Sequence, residues 1–393
     1  MRIEAVDLFY LAIPEVRDIG DGSQDMALVR VRAGGHTGWG ECEASPLPTI
    51  AALVTPPSHS ACHGVLDSVL GAEVSSPGDI GALARTVAER GLDLLQTPHA
   101  WSGVEIALWD LLGRASGEPA WALLGHREAH PRRPYASQLF GDDPAQTREL
   151  AASVAAAGYT AAKFGWGPYG RGGVGADAEQ VHAAREGLGP DVDLLVDAGT
   201  VFGEHVEAAA ARLPALEEAG VLWLEEPFLP GALAAHAELA GRCRSVRLAG
   251  GEGAHNVHLA RQLIEHARIG YVQIDTGRIG GIGPAASVAA YAAAAGVQYV
   301  NHTFTSHLAL AASLVPFAGT PGDLLCEYAV QPSPLARELT RTHLLPGADG
   351  LVRLPEGPGL GLELDLDAVR PYLQEVEIVV NGRPLYRTPE LTP

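Results

Sequence analysis

A chain of 393 residues, 47% hydrophobic by composition, carries a formal charge of −20 from 47 acids set against 26 arginines and a single lysine. The length allows two domains and a large core. The charge excludes nucleic acid and anionic membrane surfaces as partners, since both need basic patches, but it leaves room for a small anionic substrate in a closed, locally positive site.

Four scattered cysteines (Cys42, Cys62, Cys243, Cys326) show no CxxC spacing. Neither a zinc site nor a disulfide framework is expected, and a reducing cytoplasm fits. The start, "MRIEAVDLFYLAIP", has acids at Glu4 and Asp7 and no long apolar run, so no signal peptide is expected. The longest apolar stretch, "ASVAAYAAAAGVQYV", is too short to span a bilayer.

In chain order, "IEAVDLFYLAI" and "MALVRVRAGGHTGWGECE" predict strands, the second broken by a Gly-Gly turn. "WSGVEIALWDLLGRASGEP" predicts a helix, with Val104, Leu108, Leu111 and Leu112 on one face and Gly117 and Pro119 as its stop. Residues 1–130 are read as a first domain of mixed α+β kind.

From about residue 134 short apolar runs alternate with Ala-rich helical stretches. The runs are "YASQLF", "AAKFGW", "DLLVDAG", "LWLEEP", "RLAGGE", "YVQIDT", "QYVNHT" and "LLCEYA". Eight β units with helices between them predict an α/β fold of the (β/α)8, or TIM, barrel kind over residues 131–367. Residues 368–393 are expected to form a tail that leaves the barrel and packs on the first domain, with a hairpin around Asn381-Gly382.

The barrel runs end in chemistry. Lys163 ends the second, Asp197 the third, Glu225 the fourth, Glu252 the fifth, Asp275 the sixth, His302 the seventh and Glu327 the eighth. Strand C-termini of a barrel converge on one mouth, so these groups should share a small volume. Acids cannot crowd there without a counter-charge. Asp197, Glu225 and Glu252 on three consecutive strands suit Mg2+, an oxygen-seeking ion that keeps open positions for substrate. Each acid taken singly could instead cap the following helix. Asp275 beside His302 on the neighbouring strand makes a general base. His307 is the rival histidine and is placed in the loop or helix start beyond the strand. Lys163 is read as an ammonium that neutralises an anionic substrate, and Glu327 as a protonated donor to a developing enolate oxygen. Glu226 alternates to the other strand face and is read as structural.

These residues resemble the mandelate racemase group of the enolase superfamily. The likeness covers nearly the whole chain and rests on "WSGVEIALWDLLGRASGEPAWALLG", "WLEEP", "AGGE", "DTGRIGG", and "NHTFTSHLALAAS" followed by "LLCE". The resemblance implies a modified barrel with a capping domain completed by the tail, Mg2+ on Asp197, Glu225 and Glu252, and an Asp275–His302 dyad that removes the proton α to a substrate carboxylate. It also implies a homo-oligomer, and capping loops of about residues 14–27 and 43–60 that choose the substrate. The last two motifs look like those of acid-sugar dehydratases.

Two departures bear on the reaction. The group usually has Lys-x-Lys where this chain has Lys163-Phe164-Gly165, and usually Asn where it has Gly199. Without the second lysine a two-base racemase lacks one base. A one-base dehydration of an aldonic or aldaric acid to a 2-keto-3-deoxy acid is therefore expected. A racemase or epimerase is the alternative within enzymes, and a non-catalytic metal-binding scaffold the alternative outside them. A metal-dependent barrel hydrolase would need an HxH that "YASQLF" does not contain.

Overall fold

The structure is a computed structural model, and it describes residues 1–43 and 45–392. Three antiparallel strands, β1 (Ile3–Ala12), β2 (Asp25–Ala33) and β3 (His36–Glu43), open the chain. Their inner residues, among them Leu8, Leu28, Val29 and Val31, are buried against the helix Thr97–Ser116. That helix is buried on nearly every side from Ala100 to Gly113, so its polar residues need partners.

Three of those polar residues join the two halves of the chain. Asp110 accepts from Trp39 N (2.9 Å), Leu360 N (2.8 Å) and Arg114 Nε (2.7 Å). Ser102 Oγ accepts from Gly280 N at 2.8 Å. Glu105 accepts from Ile282 N (2.7 Å) and Gly283 N (2.9 Å), capping the helix Ile282–Ala295 that follows a barrel strand. A carboxylate at a helix N-terminus satisfies orphan N–H groups and favours the dipole. Gly281 sits at φ 105° directly against this carboxylate, where a Cβ would overlap it. The "WSGVEIALWD" segment is thus a structural key between cap and barrel.

Eight parallel strands follow: β4 (Arg133–Leu139), β5 (Ala161–Gly165), β6 (Asp193–Asp197), β7 (Val221–Glu225), β8 (Arg247–Gly250), β9 (Tyr271–Asp275), β10 (Gln298–His302) and β11 (Leu325–Ala329). They pair in sequence order, with β11 beside β4. No backbone ladder joins β10 to β11, and side chains bridge that seam. Asn301 Oδ1 accepts from Glu327 N at 3.0 Å, and Glu327 Oε2 accepts from Thr303 N at 2.8 Å. The sheet is a nearly closed barrel of the enolase type.

Side chains alternate along each strand, and only every second one points inward. Tyr135, Ala161, Leu195, Trp223, Tyr271, Val300 and Leu325 pack together as one apolar layer inside the barrel. Two residues further along the same strands stand Ser137, Lys163, Asp197, Glu225, Gln273, His302 and Glu327. Asp275 lies two beyond Gln273. The polar floor of the mouth therefore sits one layer above a packed aromatic plug.

The tail adds β12 (Leu373–Gln374) to the edge of β1, in register Tyr10↔Gln374. The hairpin of β13 (Glu377–Val380) and β14 (Arg383–Arg387) turns at Asn381 and Gly382, both at positive φ. Beyond it Arg30, ion-paired to Asp7 at 2.8 Å, also donates to the Thr392 carbonyl. All four cysteines are free. No described helix is long and apolar enough to cross a membrane.

Candidate active site

A cavity of about 320 Å³ opens at the C-terminal mouth of the barrel, under the capping domain. Lys163, Asp197, Glu252, His302 and Glu327 line it. Glu225 and Asp275 are buried directly beside these residues. All seven residues singled out in the sequence converge here, by different routes.

Asp197 and Glu225 are cross-strand partners in the parallel ladder, so their carboxylates rise at the same level. Glu252 lies two residues beyond the end of β8, off the inward parity. Gly251, at φ 134°, swings the chain round and brings that carboxylate back over the mouth. Glu226 likewise departs from strand alternation. Its φ of 39° turns it back, and its carboxyl is held well above the usual range by burial and by the carboxylates of Glu252, Asp197 and Glu225. Glu226 lies near the acid cluster but does not line the cavity; its carboxylate accepts from Gly251 N at 3.4 Å, and its own N–H donates to the Ala249 carbonyl of β8 at 3.0 Å.

Lys163 Nζ lies 2.6 Å from Glu225 Oε1, 2.8 Å from Glu327 Oε1 and 3.5 Å from Asp197 Oδ2. Burial alone would lower its pKa, but Glu225, Glu327, Tyr135 and Asp197 hold it well above the ordinary lysine value. It is a fixed positive charge. Glu327 accepts from Lys163, from Ser137 Oγ (2.8 Å) and from Thr303 N (2.8 Å). Both its oxygens accept hydrogen bonds.

His302 Nδ1 lies 2.7 Å from Asp275 Oδ2, which turns Nε2 toward Glu252 Oε2 at 3.0 Å. Burial pushes the imidazole pKa down, but Glu252, Glu327, Glu43 and the bond to Asp275 raise it well above the histidine value. His307 begins the helix His307–Leu314, accepts from Leu344 N at 3.1 Å and stacks on His343. It does not line the cavity.

Three further residues escaped sequence reasoning. Glu43, at the end of β3, reaches down from the capping domain to 3.8 Å from His302 Nδ1. Burial above all raises its carboxyl to about 7, although Arg278 and His302 pull the other way. Arg278 spans the mouth, 2.7 Å from Glu43 Oε1 and 3.1 Å from Glu252 Oε1. Its place three residues after Asp275 within "DTGRIGG" was the available signal. Trp166, at φ 57°, lines the cavity just beyond β5 and is 38% exposed. Of the two capping loops expected to meet substrate, the first contributes Ile19, Gly20, Asp21 and Gly22. The second contributes only Glu43 among the described residues. The first loop is tied to the barrel by Ser333, whose N–H donates to Ser23 Oγ at 2.7 Å.

Six buried carboxyl groups (Glu43, Asp197, Glu225, Glu226, Asp275, Glu327) and the half-buried Glu252 thus face three bases (Lys163, Arg278, His302). Burial and the neighbouring acids Asp197, Glu327 and Glu252 raise Glu225 to about 8 even against Lys163. A surplus of buried oxygen donors is the environment a hard divalent cation relieves. Among the described residues, Glu43, Asp275 and His302 form the one group of three whose donor atoms all lie within 4.8 Å of one another, but the imidazole is already bonded to Asp275 and Arg278 already offsets Glu43. Asp197, Glu225 and Glu252 do not close to that spacing, although their oxygen-only donors suit Mg2+ better by type than a set containing imidazole.

A parallel barrel under an α+β cap, with an acid ring, a buried lysine and a His–Asp pair at its mouth, defines a class of enzyme-like scaffolds, and comparison gives that class a family. Residues 146–368 match the family described as "Enolase C-terminal domain-like", and residues 19–125 match "Mandelate racemase / muconate lactonizing enzyme, N-terminal domain". The chain belongs to the enolase superfamily, in its mandelate racemase group. It is similar to a solved structure described as a predicted mandelate racemase from Rhodobacter sphaeroides, at 61% identity and TM-score 0.94 over 99% of this chain and 100% of that one. It is 30% identical to a D-galactarolactone cycloisomerase of Agrobacterium fabrum over 86% of this chain and 88% of the relative. It is 31% identical to an L-rhamnonate dehydratase of Saccharopolyspora erythraea over 70% of this chain and 69% of the relative.

Proposed function

We propose that this protein is a Mg2+-dependent dehydratase of a sugar acid, removing the proton α to the carboxylate and expelling the β-hydroxyl to leave a 2-keto-3-deoxy acid. Asp197, Glu225 and Glu252 would hold the ion. When bound, it supplies positive charge to the substrate carboxylate and to the enediolate formed when the α-proton leaves. Neutralising the acids around His302 also removes the pull that keeps the imidazole protonated, and a general base must start neutral. His302 takes the α-proton at Nε2 while Asp275 holds Nδ1–H. The same imidazolium returns a proton to the departing hydroxyl, so that water leaves and the enol tautomerises to the ketone. Lys163, fixed as an ammonium, sits beside the position of greatest developing negative charge.

The observation that carries this reading is the one-sidedness of the site. A Cβ built on Gly165 would lie 2.7 Å from Asp197 Cβ, so no side chain, and no second base, stands there without displacing an acid of the ring. One base on one face suits elimination better than inversion, which needs a proton delivered from the other face. Relatives named as dehydratases, including the L-rhamnonate dehydratase, lend the reading support.

The test is proton NMR in D2O with Mg2+ and C4 to C6 sugar acids. Loss of the C2 proton with new 3-deoxy methylene signals is expected. C2 exchange or inversion without methylene signals would replace the dehydratase by an epimerase.

A further inference from the structure

The missing second base leaves its place to something else. Trp166 directly follows Gly165, and its φ of 57° is a costly conformation for an aromatic residue. The indole lies where a barrel strand meets the capping loop. A Cβ on Gly20 of that loop would stand 2.6 Å from Trp166 Cγ, and one on Gly199 would stand 2.9 Å from Trp166 Cε2. Two glycines from different parts of the chain make the slot that this ring fills. With Ile19, Leu139 and Phe304 it forms the apolar part of the cavity wall.

The cations of the cavity are all committed. Lys163 is held by Glu225 and Glu327, His302 by Asp275 and Glu252, and Arg278 by Glu43 and Glu252. A metal drawing on Glu252 would still leave Arg278 its 2.7 Å pair with Glu43. The charged group that the capping loop adds to the rim is an acid, Asp21, fixed by Ser23 N and Oγ at 2.9 and 2.6 Å.

Resting on the dehydratase reading, we infer that the substrate is a monocarboxylate, an aldonic and not an aldaric acid, and that Trp166 is the specificity-determining residue against which its uncharged distal end packs. A second carboxylate at that end would meet an indole and Asp21 with no free cation. An unpaired like charge in a partly desolvated site costs several kcal/mol.

Calorimetric titration of the Mg2+-loaded His302→Asn protein, in which turnover is slowed about 10²–10⁴-fold, would compare C5 and C6 aldonates with aldarates of the same configuration. The aldonate is expected to bind at least about tenfold more tightly than its aldarate partner. Asp21→Asn is expected to narrow that gap. In the otherwise wild-type enzyme, Trp166→Ala should raise KM for the aldonate about tenfold with kcat nearly kept, and Trp166→Phe should restore most of the loss. Equal or tighter binding of aldarates, binding of neither class, or an unchanged KM in Trp166→Ala would each overturn the inference. Aldonate preference in the titration without 3-deoxy product in the wild-type reaction would uphold it and remove dehydration instead.

Discussion

Asp275 and His302 stand on the same rung of the barrel: they are cross-strand partners at the ends of β9 and β10, and Oδ2 of one lies 2.7 Å from Nδ1 of the other. The parallel ladder sets that distance, so the orientation of the imidazole ring is fixed by backbone register before any substrate arrives. Nε2 is left as the only nitrogen able to meet a substrate proton.

His302→Asn and Asp275→Asn should therefore each lower turnover by about 10²–10⁴-fold. Thermal unfolding should show both proteins folded. Near-normal kcat in either variant would remove the pair from the chemistry.

Among the described residues Lys163 is the one cation paired with Glu225, and its loss leaves buried acids facing one another. Lys163→Met should destabilise the protein by about 3–5 kcal/mol in the presence of EDTA. Saturating Mg2+ should recover part of that loss, because an ion that binds only the folded ring shifts the equilibrium. Urea unfolding with and without Mg2+ measures both. Identical curves in the two conditions would place the ion elsewhere.

Asp197→Asn should weaken Mg2+ binding by at least about 100-fold, and Gly165→Ala, which presses on Asp197, by about 10-fold. Titration calorimetry with the metal alone reads this without any substrate. Unchanged affinity in Asp197→Asn would shift attention to the group formed by Glu43, Asp275 and His302.

Glu105 provides a pH dependence remote from the mouth. Burial pushes its carboxyl from 4.5 up to about 7, despite the N–H groups that favour the anion. The folded protein thus holds a proton between pH 4.5 and 7 that the unfolded chain has released. The stability from this group is full below 4.5 and lost as pH rises through 7, by about 3 kcal/mol in all. Glu105→Gln should flatten that decline in chemical denaturation between pH 5 and 8. An equally steep decline in the variant would assign it to other groups.

Most of the barrel could be read along the chain. Each of the eight apolar runs became a strand within a residue or two of its expected position, because burial on both faces of a parallel barrel strand writes a short continuous apolar run. The residues ending those runs met at one mouth because the C-terminal strand ends of a parallel barrel converge. Glu43, Arg278 and Trp166 were missed because their part in the site depends on the capping domain closing over the barrel or on one left-handed φ. Neither leaves a period in the sequence.

The sequence by itself determined which residue types end each strand, and local alternation then dictated that Lys163, Asp197, Glu225, His302 and Glu327 point inward together. Only the tertiary structure decided how the crowded charges pair. It set Arg278 between Glu43 and Glu252, swung Glu252 inward at Gly251, and wedged Trp166 between Gly20 and Gly199. Those contacts join segments as far as 235 positions apart. Electrostatic and steric fit across such separations depends on distance in space, which no local pattern encodes.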